Sequence, residues 1–333
     1  MESTVTPYSV LDLATVIEGK IAADSFQNSL SLAQHVEQLG FTRFWLAEHH
    51  NMASVASSAT AVLIGYIAAG TKKMRVGSGG IMLPNHAPLI IAEQFGTLAS
   101  LYPGRIDLGL GRAPGTDQLT ALAIRGKNFG AEHNFPEDIQ ELQRLFSATN
   151  SNSNLRAIPG EGLDIPIWIL GSSTDSARVA AALGLPYAFA SHFAPTYFLE
   201  AIALYRKYFR PSAHLEKPYV VACVNVVAAA TDEQAARLAT SVQQLFIGVI
   251  SGKRKLLQPP VDDMSRAWTA EQAAAVQQML SYSFIGSAAT IKNKMKAFLE
   301  QTGVNEIMAT SHIFDHAERL RSYEILAGVM KNL

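Results

Sequence analysis

The sequence predicts an α/β protein: one (β/α)8 barrel domain over residues 1–333, with an insertion after the fourth strand and a long excursion between the seventh and eighth. Three observations lead there. Short β-type runs alternate with longer helical patterns almost from end to end, eight times over, which is the pattern of a parallel sheet built from βα units. Several strand runs, such as IPIWIL at 165–170 and YVVACVNVV at 219–227, are continuously apolar, as strands covered on both faces must be. Gly40, Gly70, Gly184 and Gly303 each close a helical pattern, where a left-handed C-terminal residue is wanted. A doubly wound open sheet is the competing arrangement.

In order, strands are expected at 8–13, 43–47, 74–82, 106–111, 165–170, 187–191, 220–228 and 306–310. Helices are expected at 25–39, 57–69, 89–101, 137–146, 175–183, 197–209, 232–245, 288–301 and 316–330. Two connections exceed the usual few residues. One is 112–135, after the fourth strand; the other is 246–286. The second carries Gly248, Gly252, Pro259 and Pro260 beside Lys253, Arg254 and Lys255, a composition that suits a hinged, partly helical lid over the barrel mouth.

Composition excludes several classes. The 333 residues hold 27 Lys and Arg against 28 Asp and Glu, a formal net charge of −1, and 48% are hydrophobic. A chain of this length buries roughly 75% of its unfolded surface, so it needs no disulfide or structural metal. Without a basic block it lacks the electrostatic footprint of a nucleic-acid or anionic-membrane binder. The run Lys253 to Lys255 reads as a solvated loop. Cys223, alone in the chain, cannot make an internal disulfide and fits a buried small side chain in a reducing compartment. No early apolar block precedes a cleavage site, and the longest apolar stretches, 61–70 and 219–230, fall short of the roughly 18 residues of a membrane span. A soluble cytoplasmic protein is expected.

Chemistry concentrates at the ends of the predicted strands. The second ends in Glu48, His49, His50 and Asn51. Adjacent strand residues point to opposite faces, so one histidine is expected to serve catalysis and the other architecture; two loop histidines bonded to carbonyls is the plainer alternative. His35 and His86 do not complete a metal-ligand spacing, and no metal is expected. In the third strand the Gly79 and Gly80 pair marks either close approach of a ligand or a bulge or bend of the barrel. Arg112 follows the fourth strand, where a guanidinium can clamp a phosphate or form a structural ion pair; Gly109, Gly111 and Gly115 around it do not match the dinucleotide spacing. The fifth strand runs into Ser172, Ser173, Thr174, Asp175 and Ser176 at a helix start, which is either an anion site or an ordinary hydroxyl cap.

Four segments together resemble the bacterial luciferase-like family of flavin-dependent monooxygenases: WLAEHHN at 45–51, VGSGGIMLPNHAP at 76–88, YPGRIDLGLGR at 102–112 and LGSSTDSARVAAALGLP at 170–186. They occur in the family's order and cover nearly the whole chain. The resemblance implies a (β/α)8 barrel binding reduced FMN at its C-terminal mouth. The ring would lie over Gly79 and Gly80, where members often carry a non-prolyl cis peptide. Arg112, Ser172, Ser173 and Ser176 would hold the phosphate. Glu48, His49 and His50 would form the catalytic set, with His49 beside the flavin as base or hydrogen-bond donor. The implied chemistry is reaction of reduced FMN with oxygen to a flavin C4a-hydroperoxide, which oxygenates a small organic substrate while water is kept out. No second nucleotide-binding unit is visible, so a separate reductase would supply reduced FMN. A homodimer is implied as in the family. Two departures stand out: the light-emitting luciferase subunit has an acidic residue at the position of Ser172, and bulkier small residues at the Gly pair, so aldehyde-dependent light emission is not implied. The alternatives are a deazaflavin-dependent hydride-transfer dehydrogenase on the same barrel and a non-catalytic flavin-binding protein.

Overall fold

Parallel strands that are apolar on both faces need covering inside and out, and closing them into a ring of helices satisfies both needs. The structure, a computed structural model, describes residues 5–113, 115–126, 129–130 and 134–333. Its first half comprises β1 (Tyr8–Asp12), α1 (Ala22–Leu39), β2 (Arg43–Leu46), α2 (Thr60–Gly70), β3 (Arg75–Ser78), β4 (Ile81–Met82), α3 (Pro88–Leu101), β5 (Ile106–Gly111), α4 (Gln118–Arg125) and α5 (Phe135–Phe146). The second half comprises β6 (Ile167–Gly171), α6 (Thr174–Leu183), β7 (Tyr187–Phe189), α7 (Phe198–Tyr208), β8 (Val220–Ala228), α8 (Asp232–Ser251), α9 (Ala270–Met279), β9 (Ser283–Gly286), α10 (Ala288–Thr302), β10 (Glu306–Thr310) and α11 (His316–Met330).

The strands run β10-β1-β2-β3-β5-β6-β7-β8, all parallel, and β8 closes the ring on β10 from Glu306↔Val221 to Thr310↔Asn225. This is a (β/α)8 barrel. Alternation along each strand builds two cores. On β2, Phe44 and Leu46 face outward onto the helices with Leu32, Val36, Ile64 and Phe95. Trp45 between them faces inward with Leu11, Trp168, Val221, Cys223 and Met308. Trp45 and Trp168 meet edge to face, centroids 5.2 Å apart. Each such buried side chain contributes about 1.5 to 3 kcal/mol.

The N-terminal end of the barrel is closed by charge. Arg43 sends Nη1 to Asp107 at 2.9 Å and Nε to Glu306 at 2.8 Å. Arg75 bonds the other Asp107 oxygen at 2.8 Å, and Ser9 and Tyr219 bond Glu306 at 2.5 and 2.8 Å. Arg43 also lies over the Trp168 ring, 4.5 Å from its centroid. Burial alone would lower the Arg43 pKa, but these two carboxylates raise it further above the ordinary arginine value.

Four expectations change in detail. The third strand is two pieces, β3 and β4, joined by a cis Gly79–Gly80 peptide. Helix α2 begins at Thr60 rather than 57, because the Ser57 and Thr60 hydroxyls tie the preceding loop to the carbonyls of Leu13 and Ala47. In the insertion after β5, α4 is helical; Pro114, 127–128 and 131–133 lie outside the described residues. The 246–286 excursion is partly helical, but α8 runs beyond 245 to Ser251, and after the irregular stretch 252–269 come α9 and then β9, which adds to the upper half of β8. Gly248 does not end α8. A Cβ there would lie 3.1 Å from the Lys253 carbonyl and 3.3 Å from the Arg254 Cα, so this glycine lets the returning chain fold tightly onto the helix. Gly252, at φ 69°, makes the left-handed turn that ends it.

Candidate active site

The C-terminal ends of the barrel strands surround a cavity of about 420 Å3, within the usual size range for small-molecule and cofactor sites. Leu11, Leu13, Ala47 and Leu170 reach it from the strands, Met52 and Val55 from the loop after β2, and Phe246, Val249, Arg254 and Met279 from the α8–α9 region. The segment expected to cover the mouth therefore does contribute to its walls.

Of the sequence-predicted residues, His49, Gly79, Gly80, Arg112, Ser172, Ser173 and Ser176 all line this one cavity. Glu48 and His50 do not. The buried Glu48 carboxylate accepts from His50 Nε2 at 2.8 Å, His86 Nε2 at 2.9 Å and the Met82 N–H at 3.0 Å. Burial works to raise its pKa, but those three bonds outweigh it and hold the carboxyl below the usual range. Glu48 thus clamps the loop after β2 to the segment after β4. His50 joins that clamp, while His49, one residue away in the loop that follows β2, lines the cavity.

His49 Nδ1 lies 3.1 Å from the Gly115 carbonyl. A carbonyl only accepts, so Nδ1 carries the proton and Nε2 is the basic nitrogen. Burial lowers the His49 pKa, with the Gly115 bond opposing and the Arg254 charge adding to the lowering. The ring is neutral at pH 7, with an available lone pair.

At one end of the cavity, Ser173 is the N-cap of α6 in extended conformation, yet its hydroxyl makes no capping bond. Ser172 and the α6 N-terminus adjoin it. The Ser176 hydroxyl is engaged with the Ser173 carbonyl at 2.8 Å and the Tyr187 hydroxyl at 2.9 Å, so it shapes the turn. Arg112 pairs with Asp175 at 3.2 Å, both side chains more than half exposed. The Gly pair has its own reason. A Cβ on Gly79 would stand 2.6 Å from Leu11 Cδ1, and one on Gly80 would stand 2.7 Å from the Gly109 carbonyl. The Gly109 backbone leaves no room for a side chain at Gly80, while one at Gly79 would have to displace the end of Leu11 and press on the Trp45 Cβ at 3.1 Å; both glycines present bare backbone to the cavity.

Two histidines of the lining stand outside the sequence-predicted set: His192 after β7 and His312 after β10. Burial, then the neighbouring His312, hold His192 down to about 3; burial and Arg319 hold His312 down to about 4. Both are neutral, and the buried His192 Nδ1 has no partner among the described residues. The signal was their position, just past the C-terminal end of a barrel strand. Among the described residues no group of three or more His, Cys, Asp or Glu is placed to hold a metal ion, and no helix is long and apolar enough to cross a membrane.

The sequence profile of the luciferase-like monooxygenases matches residues 7–306. The chain belongs to the luciferase-like monooxygenase family. An Escherichia coli K12 protein named luciferase-like monooxygenase is 50% identical over 333 residues, covering 100% of this chain and 99% of that one. A Bacillus subtilis N-acetyl-S-alkylcysteine monooxygenase is 44% identical over 186 residues, 55% of this chain and 56% of its own. The structure of apo-MsnO8 superposes with a TM-score of 0.90 at 34% identity, covering 98% of both chains. At the level of fold alone, the barrel resembles the oxygenating constituent of Pseudomonas putida 3,6-diketocamphane monooxygenase in complex with FMN, with TM-score 0.72, 18% identity and coverage of 97% and 96% of the two chains. It also resembles an F420-dependent secondary alcohol dehydrogenase, with TM-score 0.64, 14% identity and coverage of 98% and 99%. Monooxygenase names among the relatives make this luciferase-like protein an oxidoreductase of that kind.

Proposed function

We propose that the protein is an FMN-dependent monooxygenase that takes reduced FMN from a separate reductase and oxygenates a small organic substrate. One observation carries the reading: a guanidinium, two hydroxyls and a helix N-terminus meet at one end of a cavity whose wall includes side-chain-free backbone. That donor set fits a phosphate, and the bare Gly79 and Gly80 segment fits a flat ring system. Arg112, Ser172, Ser173 and the α6 N-terminus would hold the phosphate, with Ser176 fixing the turn. Bound reduced flavin would supply the electrons that activate molecular oxygen.

The chain's own residues do the rest. His49, neutral and protonated on Nδ1, offers Nε2 to take a proton from the reacting substrate and return it. Glu48 and His50 act as positioning residues by holding the His49 loop. Phe246, Val249 and Met279 line the cavity from the α8–α9 region and, if that region closes as a lid, exclude water during turnover. The small-molecule substrate class agrees with the thioether amino acid named for the Bacillus relative. Exposed Val62 and Tyr66 on α2 with Ile90 and Leu101 on α3 give an apolar surface that suits a homodimer. A near-neutral cytoplasmic enzyme fits the charge balance.

The second reading, hydride transfer with a deazaflavin, is supported by the F420-dependent dehydrogenase of the same fold. Parallel titrations decide between them. FMN should bind at least ~10-fold more tightly than F420, a difference of about 1.4 kcal/mol, and oxygen uptake should follow added flavin reductase, NADH and FMN. Tighter binding of F420, with no oxygen uptake, would overturn the proposal.

A further inference from the structure

Two cations line the cavity, and their surroundings differ. Arg112 has Asp175 as a partner and stands with Ser172, Ser173 and the α6 N-terminus. Arg254, two residues past the left-handed turn at Gly252 that ends α8, makes no side-chain hydrogen bond or ion pair among the described residues. The described lining includes no aspartate or glutamate, and its three histidines, His49, His192 and His312, are neutral rings. Arg254 shares the cavity with Leu13, Met52, Val55, Phe246, Val249 and Met279. Arg254 is exposed where it lines the cavity, so its guanidinium is open to an incoming anion, and no acidic side chain of the described lining competes for it. The C-terminal end of α8 supplies only the partial charge of a helix dipole.

We propose that Arg254 is the receptor for a substrate carboxylate, so that the enzyme acts on small, singly charged carboxylic acids whose apolar arm fills the cavity. The inference rests on the flavin reading only in that the flavin phosphate is assigned to Arg112, Ser172, Ser173 and the α6 N-terminus, which leaves Arg254 to the substrate. A carboxylate suits the site better than a phosphate ester. One planar guanidinium can take both carboxylate oxygens by parallel bonds and match their single charge, whereas a dianion carries twice that charge and the other cation of the described lining, Arg112, is assigned to the flavin phosphate. The position also has a chemical use. Arg254 is near enough to His49 for its charge to help hold that imidazole neutral, so a substrate anchored on Arg254 is held within the field of the basic nitrogen. Tethering on the chain that folds back over Gly248 further couples substrate binding to the position of the segment over the mouth.

The test uses the full chain, with and without FMN. N-acetyl-S-benzylcysteine and octanoate, each beside its own methyl ester, are titrated by calorimetry. Each acid should bind about 10- to 100-fold more tightly than its ester. Arg254→Ala should erase that preference, Arg254→Lys should restore part of it, and Arg112→Ala should leave it in place. Equal binding of acid and ester, no binding of either acid, or a preference that survives Arg254→Ala overturns the proposal. An Arg254→Ala variant whose FMN affinity falls by the same factor also overturns it, because the guanidinium then belongs to the cofactor. If FMN itself does not bind, the cofactor reading fails, while the acid and ester comparison in flavin-free protein still decides the role of Arg254.

Discussion

Both ends of this barrel carry charged and polar side chains, and they use them in opposite ways. At the N-terminal end Arg43 is enclosed by Asp107 and Glu306, and Ser9, Trp45, Arg75 and Tyr219 add further bonds to these two carboxylates. At the C-terminal end, among the described residues, the His192 Nδ1 has no partner and Arg112 has only an exposed carboxylate at 3.2 Å. Close pairing of opposite charges, and not the mere presence of charge, distinguishes the structural end from the reactive one.

The comparison breaks if a residue at one end behaves like the other. His49→Ala should lower turnover by about 10²- to 10⁴-fold with little change in FMN affinity or unfolding free energy. His50→Ala should act chiefly on the positioning of Glu48 and cost less; stopped-flow measurement of both variants checks the order. A larger kinetic loss in His50→Ala would assign the basic role to the wrong ring.

Glu306→Ala should do the reverse, leaving Arg43 buried without a full set of partners and destabilising the fold by about 3 to 5 kcal/mol. Urea unfolding reads that loss. If the variant unfolds like the wild type, the N-terminal network is not structural in the sense argued.

Acid sharpens the contrast further. His192 and His312 are held at about 3 and about 4 by burial and neighbouring positive charge, whereas an unfolded imidazole protonates near 6.5. Their folded pKa values are depressed, so the stability linked to their neutral state is present above pH ~6.5 and is lost as pH falls toward about 4. The slope is up to ~1.4 kcal/mol per pH unit for each ring. Unfolding measured across that window should flatten in His312→Asn, and an unchanged slope would refute the assignment. The smallest effect belongs to Asp175. Its exposed pair with Arg112 is worth only about 0.2 to 1 kcal/mol, so Asp175→Asn should tighten FMN binding by roughly 2- to 5-fold, read by fluorescence titration at low salt.

Much of the barrel was legible in advance because strands covered on both faces are continuous apolar runs. Residues 106–111, 220–228 and 306–310 match β5, β8 and β10 to the residue. Strand β9 was not legible, since Ser283–Gly286 is four residues long with no apolar run to mark it. The length of α8 was obscured by Gly248, whose role depends on a chain segment that packs back against it. Glu48, His49 and His50 were visible as a cluster, but their division of labour depends on His86 and Gly115, 38 and 66 residues distant. The N-terminal network joins Arg43 to residues 64 and 263 positions away. No local pattern encodes such pairings. His192 and His312 are single residues after strands, which spacing alone does not separate from ordinary loop histidines.

The central claim is that the C-terminal mouth holds flavin by its phosphate, and titration of FMN into wild-type and Arg112→Ala protein at about 0.15 M salt tests it most directly. Loss of a charge-assisted contact predicts a dissociation constant raised roughly 10- to 150-fold, or about 1.5 to 3 kcal/mol, with the unfolding curve unchanged. An identical dissociation constant in the two proteins would contradict the claim and leave Arg112 as a partner of Asp175 alone.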